Sequence, residues 1–269
     1  MIQGLGCLVE AVSCNNIRFA LTGMALLLIL KKVSKGEGFL RKLLAVSLLL
    51  CLMVSGVFAQ EREKYITQYT NGSREEKRIA ITIDDWYEPE LLPEFLDIAA
   101  QYNCKLTLYP IGINLLEKDR DSWRRALDEG HELGNHSNTH RNLEEASRDS
   151  IIAQLNNMED RLEKTLGFRH EMNTVRYPFG AGRYTGTRSA FAKAVNEAGY
   201  EHAVLWDIDS TDAKKIIKTT KNGSIILLHG RKRDLRALKT ILSYFQEQGY
   251  EMVTVSELLH IAPATKVNE

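Results

Sequence analysis

From residue 78 onward, short apolar runs alternate with longer stretches whose apolar residues recur every three or four positions. The short runs lie at 79–83, 106–109, 132–134, 174–177, 202–206, 224–228 and 252–255. Their length and their β-branched and aromatic content predict strands. Between them, residues 89–102, 122–129, 147–166, 188–198 and 233–248 carry a helical period. In 147–166, Ile151, Ile152, Leu155, Met158, Leu162 and Leu166 line up as one stripe, the signature of a helix packed on a core. Seven strands alternating with helices predict an α/β architecture of parallel strands, a barrel or partial barrel in a single domain.

Before residue 78 the pattern changes. Residues 60–77 are polar and contain Asn71-Gly72, which reads as a linker. Residues 39–59 begin with Arg41 and Lys42, continue through an apolar core at 43–54, and end in Val57-Phe58-Ala59. That order is a signal peptide with cleavage after Ala59, and an uncleaved anchor is the alternative. The apolar core falls short of the roughly 20 residues of a comfortable membrane span. Residues 1–38 then read as an over-extended or non-structural N-terminus, and 261–269 as a tail. The expected location is exported, secreted or held at the cell envelope, with membrane contact through the N-terminal segment.

Composition narrows the partners. The formal net charge is zero, with 35 basic and 35 acidic residues. Residues 1–59 hold six of the bases and two of the acids, which leaves 29 and 33 in the body. A mildly acidic body gives no footprint for nucleic acid. Of four cysteines only Cys104 follows Ala59, so no internal disulfide is expected there; flanked by apolar residues, it reads as a small buried hydrophobe. Oligomeric state is not readable from these features.

Chemistry gathers at the predicted strand ends, where parallel α/β folds place their sites. The first strand ends in Asp84-Asp85, and the third leads into His136-Ser137-Asn138-Thr139-His140. The fourth gives Arg176-Tyr177-Pro178-Phe179-Gly180, the fifth runs on through Asp209 to Asp212, and the sixth ends in His229. Adjacent carboxylates at a buried strand end are costly unless paired or metal-bound. Two histidines four apart would share one face of a helical turn. One carboxylate and two imidazoles with open positions suit catalytic zinc, so Asp85, His136 and His140 are the expected ligands. Asp84, on the opposite side of the strand end, would remain free to act on water.

These segments resemble the five ordered motifs of the polysaccharide deacetylases of carbohydrate esterase family 4, the NodB-homology domain. ITIDD, GHELGNHSNTH, RYPFG, DSTD and ILLHG carry the resemblance, which spans about residues 78–260. It implies a distorted (β/α) barrel and a hydrolase that removes N-acetyl groups, less often O-acetyl groups, from sugars. Peptidoglycan is the favoured polysaccharide substrate, with a chitin-like chain beside it. O-acetyl esterase action on xylan-type glycans and a catalytically weak binding module are the alternatives.

The resemblance also implies roles for single residues. One divalent ion, Zn2+ first and Co2+, Mn2+ or Ni2+ next, would sit on Asp85, His136 and His140. Asp84 would be the general base paired with Arg176, and His229 the general acid tuned by Asp212. The backbone N–H of Phe179 would hold the oxyanion, Tyr177 would face substrate, and Ser137 and Thr139 would shape their loop. The chain departs from the family in having Trp86 and Tyr87 after the aspartate pair and Ala213 after the fourth motif. Trp86 is expected to fill part of the sugar groove or offer a stacking face. The basic run 231–236 reads as a solvated helix start.

Overall fold

The structure is a computed structural model that describes residues 66–186, 189–262 and 265–266. The segments read as an N-terminal extension and a signal peptide therefore lie outside the described residues. Among the described residues no helix is long and apolar enough to cross a membrane.

The strands are β1 (Thr67–Tyr69), β2 (Arg78–Asp85), β3 (Leu106–Pro110), β4 (Glu132–Leu133), β5 (His170–Glu171), β6 (Thr174–Val175), β7 (His202–Val204), β8 (Ile208–Asp209), β9 (Ile225–His229), β10 (Glu251–Val253) and β11 (Thr265–Lys266). The helices are α1 (Leu92–Gln101), α2 (Arg120–Asp128), α3 (Arg148–Leu166), α4 (Ala190–Glu197), α5 (Ala213–Thr219), α6 (Lys232–Glu247) and α7 (Val255–Leu259). All seven expected strands and all five expected helices are present.

β2 is the spine. Every residue after Arg78 is buried, as a parallel strand covered on both faces requires. It pairs in parallel with β9 on one edge, and with β10 and then β3 on the other. The sheet runs β4-β3-β2-β9-β8, and a second parallel sheet runs β1-β7-β6. Two connections pass between them. Asn135 bridges to Val175, donating its N–H to Thr174 O and accepting from Arg176 N. On the other side the chain passes from β7 through residues 205–207 into β8, leaving one sheet for the other. This parallel α/β architecture is the expected one, and it aims the ends of β2, β4, β6 and β9 at one place.

The helices follow from their sequence signals. α3 begins at Ser147, whose hydroxyl accepts from Ser150 N, and stops at Gly167 in a left-handed conformation. Its stripe of Ile151, Leu155, Met158, Leu162 and Leu166 is buried, with Ile152 at the half-buried margin.

Two boundaries need correction. The segment read as a linker contains β1, whose three residues pair with β7, and Ile66 before it is buried. The expected tail contains β11, antiparallel to β5. Both strands are too short, and too polar in context, to show a period of two.

Candidate metal centre and active site

The end of β2 turns sharply. Asp85 and Trp86 both have positive φ (68° and 60°), and Trp86 N donates to Asp84 O at 2.8 Å. Regular alternation would send neighbouring carboxylates to opposite faces. Here both reach one imidazole: His136 Nε2 lies 3.4 Å from Asp85 Oδ1 and 3.7 Å from Asp84 Oδ2. Asp84 is therefore not on the far side of the strand end, as alternation led us to expect.

His136 and His140 do not lie on a helical turn. Their loop has left-handed residues at Ser137 (φ 65°) and His140 (φ 56°). It is held by Ser137 N donating to Asn135 Oδ1, His140 N to Ser137 Oγ, and Thr139 N and Oγ1 to Gln154. Ser137 and Thr139 thus shape the loop, as expected. His140 Nε2 comes to 3.2 Å from Asp85 Oδ1.

These three side chains bring their donor atoms within 4.8 Å of one another. Asp85 Oδ1 is buried and has no hydrogen-bond partner. The His136 Nδ1–H donates to Arg176 O at 2.7 Å, since a carbonyl can only accept, which leaves Nε2 as the ring atom facing Asp85. Burial works to raise the Asp85 carboxyl, but the two histidines beside it outweigh that and hold it well below the usual range. A bare oxygen and two oriented imidazoles fit one divalent ion of the zinc type.

Arg176 is fully buried and spends its whole fork. Nη1 donates to Asp84 Oδ1 at 2.8 Å and to Thr82 Oγ1, Nε to Val204 O, and Nη2 to Leu205 O. Its guanidinium also lies over the Tyr109 ring at 4.3 Å. The expected Asp84–Arg176 pair is present, with Asp84 3% exposed.

The site opens into a cavity of about 460 Å³ that includes Asp84, Asp85, His136, His140, Tyr177 and His229 in its lining. His229 Nε2 points in, 3.9 Å from Asp85 Oδ2. Phe179 stands at the mouth, 72% exposed, in a left-handed conformation (φ 60°), its ring 4.6 Å from that of His140. Tyr177 lines the cavity but is itself buried, packed edge-on against Phe191.

Two expected roles do not hold. Trp86 is fully buried, bonded through Nε1 to Ile83 O, and packed on Phe95 and Trp123. The left-handed turn swings its indole into the core, and it is Tyr87, 51% exposed, that lines the cavity. Asp212 is exposed and caps α5, its Oδ1 accepting from Lys214 N and Lys215 N. Its carboxylate is committed there, and Asp209 is the fourth-motif acid that lines the cavity. Sequence reading also missed Arg231, which leaves the helix start to place Nη2 3.1 Å from Asp85 Oδ2 with its guanidinium over Tyr87.

Comparison with known proteins shows the family to which the chain belongs. The polysaccharide deacetylase family profile matches residues 71–203. A peptidoglycan-N-acetylglucosamine deacetylase of Bacillus cereus is 32% identical over 198 residues, covering 68% of this chain and 89% of that protein. The peptidoglycan-N-acetylmuramic acid deacetylase PdaC of Bacillus subtilis is 31% identical over 68% of this chain, which spans only 39% of PdaC's length. Among solved structures, a mutant of a family 4 pseudoenzyme with restored activity superposes with a TM-score of 0.62 at 25% identity, covering 71% of each chain. The chain belongs to the polysaccharide deacetylases of carbohydrate esterase family 4, hydrolases that act on amide bonds.

Proposed function

We propose that this chain is an exported, metal-dependent deacetylase that removes N-acetyl groups from the sugars of peptidoglycan. The observation that carries the reading is the cluster of Asp85, His136 and His140, the first two buried and the third half-buried, with Asp84 fixed beside it by Arg176. A divalent ion held there would supply Lewis acidity, drawing the pKa of a bound water towards ~7 and polarising the acetyl carbonyl.

The chain's own groups do the rest. Asp84 takes the proton of the attacking water, its position set by Arg176. The Phe179 N–H faces the developing oxyanion. An amine leaves poorly unless protonated, and His229, pointing into the cavity, delivers that proton. Phe179 and Tyr87 offer exposed aromatic faces at the mouth, suited to sugar rings.

The substrate follows the names of the relatives, which include both glucosamine and muramic acid deacetylases. Export rests on the pattern of residues 39–59. Acetate release from N-acetylated peptidoglycan fragments, set beside acetylated xylan, tests the reading. Release from the first and little from the second is expected. The reverse order would make the chain an O-acetyl esterase, and binding to both without acetate would make it a binding module.

A further inference from the structure

Arg231 stands just before α6, with its side chain 43% exposed and lining the cavity. Its Nη2 bonds Asp85 Oδ2, whereas His136 and His140 face the other oxygen of that carboxylate. Nε and Nη1 donate to nothing among the described residues. The guanidinium lies over the Tyr87 ring, 5.2 Å from its centre, and Arg231 N donates to His229 O at 2.7 Å. The arm is thus held at the mouth with donors to spare, so little side-chain freedom is lost when a ligand meets it.

Charge is unevenly spread around this cavity. Asp84 is neutralised by Arg176, and Asp85 belongs to the proposed ligand set, whose ion would cancel its charge. Asp209 lies on β8, while Arg231 reaches towards the end of β2, and β9 with His229 runs between those two strands. One flank therefore carries an acid and the other a cation. A neutral sugar does not call for that cation, since hydroxyl and acetamide groups are met by amide and hydroxyl side chains. A guanidinium fork matches a carboxylate, which it binds through parallel, charge-assisted bonds. Muramic acid supplies one. It differs from glucosamine in a lactyl ether on the ring carbon next to the one that bears the acetamide. With the acetyl group at the ligand set, that carboxylate falls beside it, on the side where Arg231 stands.

We infer that Arg231 is a specificity-determining residue, binding the lactyl carboxylate of an N-acetylmuramic acid unit and so selecting that sugar over N-acetylglucosamine. This deepens the peptidoglycan reading and rests on it.

The test compares Arg231→Gln with the unaltered chain on three glycans: peptide-free peptidoglycan chains with free lactyl carboxylates, the same chains with those carboxylates methyl-esterified, and chitotetraose. The unaltered chain should favour the free carboxylates. Arg231→Gln should lower kcat/KM on them roughly 10–100-fold and leave chitotetraose little changed. Esterification should cost the unaltered chain a similar factor and the variant almost nothing, and its first arm does not depend on how the variant folds. Equal losses on all three glycans, with weaker zinc binding by calorimetry, would overturn the assignment and confine Arg231 to steadying Asp85. No loss on any glycan would overturn it too. Binding of the same glycans to Asp84→Asn, with and without Arg231→Gln, reads the preference without turnover. A preference for free carboxylates that vanishes with Arg231 supports the inference, and equal affinities for all three oppose it. An unaltered chain that releases no acetate from any glycan would instead sink the functional reading, while the binding comparison still decides the role of Arg231.

Discussion

The Nδ1–H of His136 donates to the backbone carbonyl of Arg176 at 2.7 Å, while the side chain of Arg176 donates to Asp84. One residue thus fixes the face that the proposed metal ligand His136 shows and the position of Asp84, the proposed base. The carbonyl link is indifferent to the side chain, so the two functions are separable by mutation.

Arg176→Ala should leave the His136 bond in place and strip Asp84 of its buried counter-charge. Breaking such a pair costs about 3–5 kcal/mol of stability. Arg176→Lys should recover part of that but not the fork to Val204 and Leu205. Denaturant titration together with kcat checks both; an Ala variant of unchanged stability would contradict the pairing.

Asp84→Asn should retain metal, because Asp84 lies outside the ligand set, while turnover falls by roughly 10²–10⁴-fold. His136→Ala should lose metal affinity as well. Isothermal titration with zinc separates the two, and an active Asp84→Asn would place the base elsewhere.

Much of this was legible in the sequence because strand ends of a parallel sheet must converge. Asp84, Asp85, His136, Arg176 and His229 were all found that way. What sequence reading missed turned on local backbone. The positive φ of Asp85 and Trp86 reverses the alternation of side chains, which sent Trp86 inward and brought Asp84 to the metal side. Asp212 was misread because α5, too short for a clear period, was not anticipated, and its cap was therefore invisible. Arg231 reaches the site through the length of its side chain, which no pattern records.

Trp86 belongs to the core, so Trp86→Ala should cost about 3–5 kcal/mol in stability. Trp86→Phe should cost less and leave KM near its original value. A raised KM with unchanged stability would restore the sugar-facing reading.

Phe179 holds a left-handed backbone that glycine adopts freely, at a strain of about 1 kcal/mol. Phe179→Gly should relieve that strain and keep the N–H, sparing kcat, while the loss of the ring over His140 raises KM. An unchanged KM would remove Phe179 from substrate binding.

His131 gives the fold a pH dependence of its own. Burial pushes its pKa down from 6.5 to about 4, and its Nδ1 accepts from Leu106 N, which a protonated ring could not do. Between those values the unfolded chain binds the proton and the folded chain does not. Stability therefore falls as pH drops from 6.5, by about 3 kcal/mol at pH 4. His131→Gln, which keeps an acceptor, should flatten that part of the profile; identical slopes for the two proteins would contradict it.

The central claim is that deacetylation depends on an ion held by Asp85, His136 and His140. The most direct measurement is acetate release from N-acetylated peptidoglycan fragments before chelation, after it, and after return of one equivalent of zinc per chain. The account predicts activity, loss and recovery in the unaltered chain, with no recovery in Asp85→Ala. Full activity in a chain shown by elemental analysis to be metal-free would contradict it.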